Sequence, residues 1–171
     1  MPSSRYQVIP LVLDLVTAIQ PKSILDVGIG YGKYGVLFRE YLDVWKTDKP
    51  FQERVVKIDG VEAFKEYENP IWKVYDNILI GDITNYILEL SQRKYDLLFM
   101  GDVIEHFEKE EAKRLLGQLN YEHIIIVTPF QVLSQKAVYD NSFEVHKSEW
   151  RHQDFPDLEL KVIGNQQVFY K

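Results

Sequence analysis

Three glycines at alternate positions, Gly28, Gly30 and Gly32, directly follow the apolar run Ser23-Ile24-Leu25-Asp26-Val27. A buried-strand pattern that runs into such a cluster constrains this chain more than any other feature. Without Cβ atoms the backbone turns sharply and approaches a ligand closely. Gly30-Tyr31-Gly32-Lys33-Tyr34-Gly35 also matches the G-x-G-x-x-G spacing of dinucleotide sites, a pattern too short to specify its ligand alone. Asp26 narrows the choice. A carboxylate two residues before the first glycine suits an ammonium or sulfonium group and repels a pyrophosphate. The ribose-binding acid of a dinucleotide site is expected about 20 residues further on, whereas Glu62 stands 27 residues past Gly35. Glu62 is the expected partner of a ribose diol in either case, with Asp59 as its rival.

The rest of the chain alternates between two periodicities. Residues 9–19 carry apolar side chains at helical spacing until Pro21, and residues 32–41 do so after the glycines. Residues 47–50 read as a loop. Strands are predicted over residues 23–27, 54–61, 72–80, 95–100 and 122–127, with helices over 85–92 and 108–119 and a short one over 63–67. Residues 158–163 and 166–170 flank Gly164-Asn165 and predict a closing hairpin. The alternation implies an α/β fold: a three-layer αβα sandwich on a mostly parallel seven-stranded sheet with an antiparallel C-terminal hairpin strand. Ligands of such sheets bind beyond the carboxyl ends of the strands. The whole chain, 1–171, is expected to form a single domain.

The segment Ile24-Leu25-Asp26-Val27-Gly28-Ile29-Gly30-Tyr31-Gly32-Lys33-Tyr34-Gly35 resembles the first motif of class I S-adenosylmethionine-dependent methyltransferases, a strand ending in Asp or Glu that enters a G-x-G-x-G loop. Asp59-Gly60-Val61-Glu62 resembles the second motif and Gly81-Asp82-Ile83 the third. Tyr95-Asp96-Leu97-Leu98-Phe99-Met100-Gly101-Asp102-Val103-Ile104-Glu105-His106-Phe107 is similar to the fourth, with the E-H-F ending common in the small-molecule branch. Residues 124–129 stand where the family's fifth strand is expected. The resemblance implies S-adenosyl-L-methionine as cofactor. By it, Gly28 and Gly30, in one loop with Tyr31 and Gly32, line the methionine and ribose parts. Asp26 engages the methionine amino group and Glu62 the ribose hydroxyls. Asp82 meets the adenine amino group, and Ile83 packs on the ring. The Gly101 carbonyl and the Asp102 side chain sit near the amino acid moiety and the methyl group. Tyr31 and Lys33 depart from the pattern in being bulkier and more charged than is typical.

Methyl transfer from a sulfonium asks the protein to orient the nucleophile, exclude water and, where needed, remove a proton. Two histidines are candidate bases, His106 after the fourth strand and His146 in the irregular, aromatic-rich stretch 128–157. That stretch follows the fifth strand and is expected to form an acceptor-side lid or a loop insertion anchored on the core by Trp150 and Phe155. His146, Glu149 and His152 match no metal-ligand spacing, so no metal is expected. The chain has no Cys, which excludes disulfides, thiolate zinc and cysteine nucleophiles, and favours the cytoplasm. Its N-terminus shows neither a signal peptide nor a membrane span. A net charge of -6 and the lack of a basic patch argue against nucleic acid, leaving a small-molecule acceptor as the expectation. Two alternatives remain at this level, a nicotinamide-dependent oxidoreductase and a non-catalytic module that kept the fold. Oligomeric state is not encoded in any motif.

Overall fold

Four successive side chains of β1 (Ser23–Val27), Ile24 to Val27, are buried, because the strand is flanked on both edges and covered on both faces. It pairs in parallel with β2 (Lys57–Glu62) and with β4 (Lys94–Gly101). The computed structural model describes residues 4–45, 53–130, 137 and 140–171. Outside β2 lies β3 (Asn77–Ile80), and outside β4 come β5 (Asn120–Pro129), β7 (Gln166–Tyr170) and β6 (Glu159–Ile163). The order is β3-β2-β1-β4-β5-β7-β6, with β7 antiparallel to both its neighbours. The expected seven-stranded, mostly parallel sheet is thus the sheet observed.

β4 shows why a doubly covered strand reads as an unbroken apolar run. Leu97 and Phe99 join the cluster on the face of the helix Ile9–Ile19, while Tyr95, Leu98 and Met100 join the opposite cluster with Leu115 and Trp150. All five are at most 3% exposed. Truncating one such side chain, Phe99→Ala, costs roughly 3–5 kcal/mol of stability.

The predicted short helix 63–67 is a 3-10 turn, Lys65–Tyr67, the predicted strand 54–61 begins at Lys57, and three elements differ more. After the α-helix Lys33–Phe38 the chain widens into a π-helical turn, Arg39–Val44. There Asp43 accepts from Val55 N and Val56 N at 2.9 Å each and pairs with the buried Arg39 at 2.7 Å. The predicted strand 72–80 holds only as Asn77–Ile80, because Pro70–Val74 is a 3-10 turn capped by Asn69. Trp72 and Tyr75 turn inward beneath the glycine loop instead. The predicted helix 85–92 is a 3-10 turn, Ile83–Tyr86, followed by a short helix, Ile87–Leu90. The loop read over 47–50 and residues 131–136 and 138–139 of the stretch 128–157 lie outside the described residues.

Candidate functional site

The sheet order reverses between β1 and β4, and the cleft opens beyond the carboxyl ends of β3, β2, β1 and β4, as such a switch point requires. It is a partly open cleft, walled by the ends of these strands and the loops that follow them. Gly28 and Gly30 line it, with φ of 71° and 53°. A side chain on Gly28 would collide with the Val103 side chain, so this approach requires glycine.

Glu62 closes the loop from the end of β2. Its Oε2 accepts from Gly30 N at 2.8 Å and its Oε1 from Phe64 N at 2.9 Å, and the residue lines the cleft. Burial raises its carboxyl above the usual carboxylate value, opposed by those two backbone donors. Asp59 points to the opposite face, where Tyr95, Asn77 and Arg93 bind it. Asp59 stands three residues short of the carboxyl end of β2 and is held there by these partners, whereas Glu62 ends the strand at the cleft. Asp82 accepts from Thr84 N and Oγ1 at 2.9 and 2.8 Å and still lines the cleft, as does the buried Ile83.

Asp26, Tyr31 and Gly32 do not line the cleft. Asp26 lies behind the loop, 2% exposed, accepting from the Tyr75 hydroxyl at 2.6 Å. Burial lifts its pKa to about 7; the Tyr75 hydrogen bond lowers it and the Glu62 charge raises it. Tyr31 is exposed and rests on the Tyr67 ring, centroids 5.0 Å apart. Gly32 adopts φ 87° beneath Ile71 and starts the next helix. An acid held above its unfolded pKa keeps its proton more tightly when folded. Its stabilisation is complete below about 3.8 and is lost as pH rises to about 7. At most this amounts to on the order of 4 kcal/mol. We expect Asp26→Asn, which leaves Tyr75 an acceptor, to flatten the fall in melting temperature between pH 4 and 7. Thermal unfolding across that range would show it, and parallel curves would rule it out.

Gly101 and Asp102 line the cleft at the end of β4. Asp102 holds φ 55°, a costly conformation for a residue with a side chain. Both of its carboxylate oxygens are buried without a hydrogen-bond partner. Burial raises its pKa, while Ser4, Gln166 and Lys33 nearby favour the charged form. Lys33 is partly buried, its Nζ donating to the Ser4 carbonyl at 2.7 Å.

The next turn sets His106, a candidate base in the sequence, beside Glu105, which the sequence did not single out. His106 lines the cleft, and its Nδ1 lies 3.2 Å from the Val145 carbonyl. That contact assigns the ring proton to Nδ1 and leaves the Nε2 lone pair available. Burial lowers its pKa, so the ring is neutral. Glu105, 1% exposed, accepts from Thr128 Oγ1 at 3.1 Å through Oε2, and its Oε1 has no partner. Burial pushes its pKa well up. His146, outside the cleft lining, packs its ring 5.0 Å from that of His106. Ligand atoms of Glu105, His106 and His146 all lie within 4.8 Å of one another. A neutral imidazole set with an unsatisfied carboxylate oxygen is a donor set for a divalent cation. Among the described residues these three form the one group of that geometry. Its signal, Glu105-His106 with a histidine 40 residues later, cannot be recognised without the fold. His152 and Glu149 stand apart from it, bound to Leu158 and Arg151.

No protein-family model matches the chain. A curated relative, the small RNA 2'-O-methyltransferase of Tetrahymena thermophila, is 23% identical over 173 residues, covering 90% of this chain and 40% of the relative. The chain therefore spans less than half of that protein. Among solved structures, the methyltransferase domain of bacterial CtHen1 superposes with a TM-score of 0.61 at 16% identity, covering 96% of both chains. A SAM-dependent methyltransferase from Archaeoglobus fulgidus gives 0.60 at 14% identity, covering 94% of this chain and 92% of that one. The fold is that of the class I S-adenosylmethionine-dependent methyltransferases, and the relatives named here are methyltransferases, as the resemblance of the motifs implies. An rRNA methylase from Escherichia coli shares it as well (TM-score 0.57, 16% identity, 96% of this chain and 62% of that one). These relatives overturn the expectation that nucleic acid is excluded, and with it the preference for a small-molecule acceptor. Net charge describes the field of the whole chain; it does not decide what one cleft accepts. Among the described residues no helix is long and apolar enough to cross a membrane.

Proposed function

We propose that this chain transfers the methyl group of S-adenosylmethionine to a ribose hydroxyl of RNA. The observation that carries this reading is the Glu105–His106–His146 group at the end of β4, beside Asp102 and open to the cleft through His106. The fold of methyltransferases and a relative named for 2'-O-methylation support it. Gly28, Gly30 and Glu62 are then the cofactor's methionine and ribose contacts, and Asp82 with Ile83 its adenine contacts. Gly101 and Asp102 face its amino acid and methyl groups. Asp26 supports that loop from behind, and Tyr31 and Gly32 continue it away from the cleft.

In the reaction the carbon–sulfur bond breaks as a carbon–oxygen bond forms, the sulfur keeps the electron pair, and the hydroxyl gives up its proton to water. A divalent cation held by Glu105, His106 and His146 would polarise the acceptor oxygen and ease that loss. The chain itself keeps His106 neutral by burial and fixes its tautomer through Val145. Without a cation, His106 Nε2 is the group placed to take the proton.

The test is methyl transfer from labelled cofactor to a short single-stranded RNA and to the same sequence as DNA, each with Mn²⁺ and with EDTA. Transfer to RNA alone, lost in EDTA, supports the reading. Transfer to both would move the acceptor atom off the ribose hydroxyl. Transfer that survives EDTA would leave the proton to His106.

Phe143, 45% exposed on the cleft rim, offers a face for a base of the acceptor strand. Base stacking contributes about 1–3 kcal/mol per base. Phe143→Ala is therefore expected to raise the KM for RNA by about 5- to 100-fold and to leave kcat near its original value. An unchanged KM would remove Phe143 from acceptor binding.

A further inference from the structure

One segment, residues 141–150, touches both the cofactor cleft and the cation group. Asn141, Phe143, Glu144 and Lys147 line the cleft. At its start it is latched to the loop after β2: the Tyr67 hydroxyl donates to Glu144 Oε1 at 2.9 Å and accepts from Asn141 Nδ2 at 3.3 Å. Glu144 is buried there, and its charge bears on Glu62 across the same end of the cleft. Further along, the segment is bonded to the turn that carries the cation group. The Val145 carbonyl holds His106 Nδ1. Lys147 N and Ser148 N donate to the Glu105 carbonyl at 2.8 and 3.1 Å. Trp150 Nε1, fully buried, donates to the Ile104 carbonyl at 3.2 Å. Between the two anchorages stands His146, the one member of the cation group that the segment supplies.

We infer that this strap couples the two sites: a divalent cation drawn to Glu105, His106 and His146 fixes the strap, and the fixed strap completes the cofactor cleft through the Tyr67–Glu144–Asn141 latch. The inference rests on the cation reading above and goes beyond it, because it assigns Tyr67, on the cleft wall, a positioning role between the two sites. Fixing His146 fixes a residue two positions from Glu144, and a strap of two to three residues in extended or turn conformation cannot move one without the other. The order bought at one end need not be supplied again at the other, which is how ordering one segment yields positive coupling. Coupling of this kind is reciprocal.

Calorimetric titration of the whole chain tests it, with S-adenosylhomocysteine titrated with and without Mn²⁺, and Mn²⁺ with and without S-adenosylhomocysteine. We expect Mn²⁺ to tighten S-adenosylhomocysteine binding by about 5- to 150-fold, the usual range of coupling, and S-adenosylhomocysteine to tighten Mn²⁺ by the same factor. In Tyr67→Phe, Mn²⁺ alone should bind as in the wild type, while the coupling factor falls below about threefold. Asn141→Ala, which breaks the same latch from the other side, should do likewise, and circular dichroism confirms that each variant is folded. Equal S-adenosylhomocysteine affinity with and without Mn²⁺, in a protein that binds both, would overturn the coupling and leave the cation reading intact. So would a full coupling factor in both latch variants. Binding of S-adenosylhomocysteine with no binding of Mn²⁺ would overturn the cation reading itself.

Discussion

His106→Ala and His146→Ala are each expected to lower methyl transfer to RNA by about 10²- to 10⁴-fold, the rate equivalent of the several kcal/mol that a catalytic cation supplies. Affinity for S-adenosylhomocysteine in cation-free buffer should stay within about threefold of wild type, since neither side chain belongs to the glycine loop or to Glu62. The pair separates two mechanisms. Only His106 lines the cleft, so a lone base predicts a large loss in His106→Ala and a small one in His146→Ala. A shared cation predicts large losses in both, because each removes one of three donors. Single-turnover rates measured with saturating Mn²⁺ distinguish these outcomes, and wild-type rates in both variants would remove the cluster from the chemistry altogether.

Gly28→Ala is expected to be the most damaging substitution in the cofactor loop. Two costs combine. The residue's φ of 71° disfavours any side chain by roughly 1–2 kcal/mol. The new methyl also collides with a Val103 γ-methyl, and forcing such a contact costs a further 1–3 kcal/mol or so. A loss of about 2–5 kcal/mol is a large share of a domain's stability, roughly 5–15 kcal/mol. Val103→Ala isolates the second cost, because the Val103 Cβ itself lies 3.4 Å from the added methyl, an ordinary contact. In the double variant the collision is relieved and the φ strain persists. Chemical denaturation of the two single variants and the double variant completes the cycle. Additive losses would show that Val103 simply moves aside. Cofactor binding should stay impaired in the double variant too, since the methyl group still stands on the cleft wall.

Much of this architecture could be read directly. The run Ser23–Val27 and the closing strand Gln166–Tyr170 have the boundaries the sequence predicts, because strands buried on both faces admit little but apolar residues. Gly28 and Gly30 were legible for the same kind of reason: only glycine tolerates their backbone beside a neighbouring chain. Asp26 was legible as unusual but not in its partner. Tyr75 lies 49 residues away, in a stretch whose aromatic pattern reads as a strand and instead folds as a turn that fills the space under the loop. Arg39 was wholly hidden. Nothing local distinguishes a solvated arginine from one that is 1% exposed and bound to Asp43 and Asp76.

The sequence by itself determined the layer architecture, the position of the cleft and the loop that forms one wall of it, since these follow from local periodicity and from glycine's freedom near a sharp turn. Only the tertiary structure decided which carboxylate of Asp59 and Glu62 reaches the cleft, because that depends on where β2 ends and on the distant partners that hold Asp59. It alone brought His146 to His106 and Glu105, and carried residues 141–150 across from Tyr67 to that group. Contacts between residues 40 or 77 positions apart depend on how the sheet and its return segment pack, and no local pattern of residues encodes that packing.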